Sequence, residues 1–91
     1  MLDLEIDCPP GQIRPNFYLE LILSHLSKNE NNEISVWALN NMNSKPFNTN
    51  FGEWSWNLKI EDKIKKEIVN IFITYLSEYH QNGLIRYAYV G

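Results

Sequence analysis

The chain has 91 residues, a formal net charge of −3 and a pI of about 5.2. That length suits one domain covering 1–91, and 44% apolar with 13% aromatic residues excludes a disordered tail. The acidic balance argues against a general nucleic-acid binder, which needs clustered Lys and Arg to displace counterions from phosphates. The single cysteine, Cys8, excludes an intrachain disulfide scaffold.

MLDLEID has no basic segment followed by an apolar run, so no signal peptide is expected. No apolar stretch nears the ~20 residues that span a bilayer. A reducing, cytoplasmic setting is the expectation.

Met1–Cys8 alternates: Leu2, Leu4, Ile6 and Cys8 on one side, Asp3, Glu5 and Asp7 on the other. That pattern predicts a half-buried strand. Pro9, Pro10 and Gly11 end it, since proline cannot donate to a ladder. PPGQ at 9–12 lacks the glycine spacing of a phosphate-cradling loop. Residues 13–29 carry Leu19, Ile22, Leu23 and Leu26 at helical spacing, widened by Tyr18 and Leu21. Pro15 suits the first turn of that helix, and Asn16 is a candidate cap. ENNE at 30–33 reads as a turn.

ISVWAL (34–39) is short, β-branched and aromatic, and predicts a strand with Ile34, Val36 and Ala38 inward. The asparagine-rich stretch 40–50 reads as a long connection. Residues 51–60 return to alternation, with Trp54, Trp56, Leu58 and Ile60 on one face and Glu53, Ser55, Asn57 and Lys59 on the other. Residues 61–82 predict the strongest helix, through Ile64, Ile68, Ile71, Phe72, Tyr75 and Tyr79. Gly83 is its expected left-handed stop. LIRYAYV (84–90) predicts the last strand, with Tyr87 and Tyr89 sharing the core side with Ile85.

The resulting order, β-α-β-β-α-β, predicts an α+β, ferredoxin-like sandwich: a four-stranded antiparallel sheet with two helices on one face. The other face would be open. An RNA-recognition-like reading would use the aromatics of residues 51–60 as a stacking platform. Phe51 stands where that motif wants a basic residue, and Asp3, Glu5 and Asp7 on the neighbouring strand repel phosphates. Leu58 and Ile60 share a face with both tryptophans. Turning that face outward would place Glu53 and Lys59 in the core, where unpaired charges cost more than Trp burial gains.

The open face then carries the candidate site: Asp3, Glu5, Asp7, Glu53, Ser55 and Asn57. Arg86 lies on the adjoining strand and is placed to pair with the acids. Trp37 is expected either exposed on this face, as an interface anchor, or covered by the 40–50 segment through Phe47. The bland alternative is a solvated strand face. No catalytic set, cofactor motif or metal-ligand spacing emerges; His25 and His80 are isolated helix-end residues, and Cys8 belongs to the inward set. The expected function is a small acidic protein-binding module, of the inhibitor, immunity-protein or antitoxin kind, docking on a basic partner such as a nuclease. A single-stranded nucleic-acid binder and an accessory subunit of an enzyme are the alternatives; membrane partners are not expected.

Overall fold

Alternation in the first residues produces strand β1, Leu2–Asp7, in the computed structural model. The structure describes residues 1–11, 15–50 and 52–91, with the backbone alone for 48–50. Leu2, Leu4 and Ile6 are fully buried, while Asp3 and Glu5 are exposed. One sheet face is therefore packed and the other open. Beyond Pro9 and Pro10 the chain turns, and the expected helical residues Ile13 and Arg14, with Gln12, lie outside the described residues.

Helix α1, Pro15–Leu26, buries Tyr18, Leu19, Ile22, Leu23 and Leu26. Their i, i+3, i+4 recurrence makes one stripe. A second helix, α2, Asn32–Asn41, follows at once. Here the sequence expectation fails: ISVWAL is helical, not a strand. Asn31 caps the helix from an extended conformation, its side chain accepting the Glu33 amide at 3.0 Å. Ile34, Trp37 and Ala38 are buried at helical spacing, whereas Val36 and Leu39 face solvent. Capping and tertiary burial override the weak strand preference of these side chains.

The segment read as a connection contains strand β2, Phe47–Asn50. It pairs antiparallel with β3, Glu53–Leu58, matching Phe47 with Ser55 and Asn48 with Trp54, with an irregularity before Asn50. The expected start of that strand at Phe51 lies outside the described residues.

Helix α3, Asp62–Gln81, buries Ile64, Ile68, Phe72 and Leu76. It stops as anticipated. Gly83 has φ +73°, its amide reaches the His80 carbonyl, and the Leu84 amide reaches that of Tyr79 at 3.0 Å. That pair of bonds is a Schellman ending. Strand β4, Tyr87–Val90, completes the sheet.

The chain is thus α+β, with three helices among the described residues rather than the two expected. β1 lies between β3 and β4, antiparallel to both, and short β2 edges β3, giving the order β2-β3-β1-β4. One buried cluster joins the inward residues of β1 and β3 to all three helices. Tyr18 packs on Tyr79 with ring centroids 4.8 Å apart, tying α1 to α3. Trp37 meets Phe72 edge-on at 6.4 Å, tying α2 to α3.

Candidate functional site: the open acidic face of the sheet

Residues directly opposite in an antiparallel pair project to the same face. Register therefore assembles the site. Asp3 lies opposite Asn57, Glu5 opposite Ser55, and Asp7 opposite Glu53. On the other flank, Glu5 lies opposite Tyr89 and Asp7 opposite Tyr87. Register places all six polar positions expected of β1 and β3 on this side, but Ser55 is buried at 7% exposure, lying between Glu5 and Phe47 in the ladder, and so is not an exposed contact residue as expected. Successive carboxylates on β1 stand about 6.5–7 Å apart along the strand.

Arg86 joins them. Its Nη2 donates to Asp7 Oδ1 at 2.8 Å, and its backbone amide donates to the Asp7 carbonyl at 2.8 Å. The guanidinium is held above its ordinary pKa first by that side-chain hydrogen bond, then by the charges of Asp7, Cys8 and Glu53. At the far end of the row, Asn57 Nδ2 donates to Asp3 Oδ1. Glu5 stands between these two contacts in the row.

Trp37 is not part of this face. It belongs to α2, is 7% exposed, and its indole Nε1 donates to the Lys59 carbonyl at 2.6 Å. Neither exposure nor cover by Phe47 describes it, because the segment is helical and its ring turns into the core. The third-strand aromatics do not form a platform either. Trp56 is 2% exposed, and Trp54 packs against the same core opposite Ile6.

Sequence reasoning missed the aromatic flank. Tyr87 and Tyr89, expected inward, are 51% and 48% exposed. Their register with Asp7 and Glu5 sends them to the acidic side. Ile85 is buried as expected, but β4 begins only at Tyr87, so the alternation that linked Ile85 to the tyrosines breaks at Arg86 and pairing with β1 decides their side. Phe47, opposite Ser55, is an exposed ring on the other flank.

The remaining titratable groups do not converge on this face. Burial, and then the charge of Asp7, pushes the Cys8 thiol up to about 11, with Arg86 opposing. His25 stacks edge-on against Tyr75 at 5.2 Å. Among the described residues, no group of three His, Cys, Asp or Glu is arranged to hold a metal ion. Nor, among them, is any helix long and apolar enough to cross a membrane. Compared with protein-family models, curated proteins and solved structures, the chain matches none.

Proposed function

We propose that this chain is a small protein-binding module that docks its open sheet face on a basic protein surface. The observation that carries the reading is the gathering of Asp3, Glu5, Asp7 and Glu53 on the face the helices leave uncovered, flanked by exposed Tyr87, Tyr89 and Phe47. Carboxylates gathered on one face steer a basic partner, and tyrosine rings supply contact area at low entropic cost. Nucleases present such basic surfaces to phosphates, so an inhibitor, immunity protein or antitoxin of the reducing cytoplasm fits the chemistry. Binding of this kind requires no catalytic residue or cofactor of its own. The strand order β2-β3-β1-β4 with antiparallel neighbours supports reading the fold as ferredoxin-like, with α2 inserted before the edge strand.

The test is affinity capture from cells of the source, followed by titration of the captured protein against the wild type and a variant carrying Asp3→Lys, Glu5→Lys and Glu53→Lys. The reading predicts a basic partner, binding that weakens with salt, and at least a tenfold loss in the variant. Unchanged affinity in the folded variant defeats it. Tryptophan quenching by single-stranded RNA at low salt, in place of a protein partner, would favour the nucleic-acid alternative.

A further inference from the structure

The two edges of the sheet are unlike. β2 is preceded by Lys45 and Pro46, and its pairing is irregular before Asn50. Charge, proline and irregular pairing are the devices that keep an edge from recruiting another strand. β4 carries such devices only at its entry, where Arg86 precedes it and donates its amide to the carbonyl of Asp7, the residue registered with Tyr87; from Tyr87 to Val90 the strand is neutral and regularly paired with β1.

Its outward hydrogen-bonding groups can be named. Asp3 and Gly91 exchange both backbone bonds, at 3.0 and 2.9 Å. Groups alternate along an antiparallel strand. Tyr87, Tyr89 and Gly91 therefore point their amides and carbonyls at β1, while Ala88 and Val90 point theirs away. Among the described residues no strand lies on that side. Above the edge runs a groove of about 520 Å³ between β4 and α3, its lining mixed: Ile73, Leu76 and Val90 with Ser77, Gln81 and Arg86. Ile73 is 47% exposed at its rim.

The geometry points to a second copy of this chain as the occupant of that edge, paired β4 to β4 about a two-fold axis through Ala88. The segment is self-complementary in the way a two-fold interface requires. Ala88 meets Ala88 of the second copy across a hydrogen-bonded pair. Tyr87 meets Tyr89 of the second copy, and Tyr89 meets Tyr87, across non-hydrogen-bonded pairs where side chains lie closest. The two sheets become one continuous sheet. Both helical layers lie on one side, with the two grooves facing across the junction, and both acidic faces lie on the other. Charge does not oppose the pairing. Each Glu5 stands on β1, one strand inside the edge, so the two rows of acids are three strand spacings apart. That is about 14 Å, beyond the Debye length of about 8 Å at physiological salt.

Sedimentation equilibrium from micromolar to millimolar concentration tests this on the wild type, Ala88→Pro and Tyr89→Lys, with circular dichroism confirming the fold of each. Ala88→Pro deletes an outward amide while leaving the ladder to β1 intact. Tyr89→Lys puts a charge beside the axis on the open face, so its monomer has no buried site to lose. The expected result is a wild-type mass of about 21.6 kDa, twice the 10.8 kDa of the chain, and the monomer mass for the folded variants. A wild type that stays monomeric at millimolar concentration overturns the pairing, including one that instead takes an extended peptide along β4. So does a folded Tyr89→Lys variant that remains dimeric.

Discussion

Arg86 Nη2 lies 2.8 Å from Asp7 Oδ1, and the pair closes over the bare α-carbon of Gly52. Gly52 has φ +85°, and a Cβ there would fall 2.9 Å from Asp7 Oδ1, 3.0 Å from Arg86 Nη2 and 3.1 Å from the Cys8 carbonyl. The side-chain ends can yield; the Cys8 carbonyl is backbone and accepts no such shift cheaply. Gly52→Ala should cost about 2–3 kcal/mol, combining left-handed strain with the backbone clash. Urea denaturation reads it, and a loss below about 0.5 kcal/mol would show that the turn relaxes freely.

The Asp7–Arg86 pair itself is solvent-exposed on the arginine side, so Arg86→Ala should leave the denaturation midpoint nearly unchanged. Its effect belongs to binding. Removing the cation makes the open face more negative, so association with a basic partner should quicken and its salt dependence steepen. Stopped-flow mixing at two salt concentrations measures both. A slower association would place Arg86 in direct contact with the partner instead.

Two tryptophans differ in one hydrogen bond. Trp37 Nε1 has the Lys59 carbonyl, whereas Trp56 Nε1 is buried with no partner among the described residues. Phe in place of Trp37 loses packing and a bond and orphans a carbonyl. At Trp56 the same change loses packing but removes an unsatisfied donor. Trp37→Phe should therefore be the costlier by about 1 kcal/mol, compared by denaturant midpoints at equal slope. Equal costs would contradict the assigned bond.

Cys8 supplies a pH test. Its thiol is raised from 9.0 to about 11 in the folded chain. Between those values the unfolded chain has lost the proton that the folded chain keeps, so stability falls as pH rises through that window. At about 1.4 kcal/mol per unit the full loss approaches about 3 kcal/mol. Cys8→Ser or Cys8→Ala should flatten this slope. Labelling of native Cys8 by iodoacetamide should stay slow at pH 8 and climb only toward pH 11; fast labelling at pH 8 would contradict the burial.

Asn31 governs whether α2 starts where it does. Replacing it with Ala removes the acceptor for the Glu33 amide and should cost about 1 kcal/mol, seen both in stability and in lost helical ellipticity. No change in either would mean that packing of Ile34 and Trp37 alone sets the helix.

Legibility varied along the chain for physical reasons. β1 was readable because its two faces differ in kind, carboxylates against aliphatics, and no register could reverse them. α3 was readable because it is long, periodic and closed by Asn82-Gly83. ISVWAL was not, because over six residues Ile34, Val36, Ala38 and Ile34, Trp37, Ala38 are equally apolar sets. A period of two and a period of 3.6 then fit equally well. FNTN shows no apolar alternation at all, and becomes strand β2 because it meets the backbone edge of β3. The acidic half of the candidate site followed from local alternation; its aromatic flank followed from pairing across strands.

From local pattern alone came the acidic and apolar faces of β1 and β3, the inward turn of Trp56, the stripe of α1 and the stop of α3. Each depends on neighbours within a few residues, whose spacing is set by helix or strand geometry. Only the tertiary structure decided that Trp37 enters the core, that Tyr87 and Tyr89 face the acids, which of the acids Arg86 holds, and that β4 stands at an edge of the sheet. Those outcomes rest on which strand lies beside which, a choice made by burying one common core rather than by any single segment.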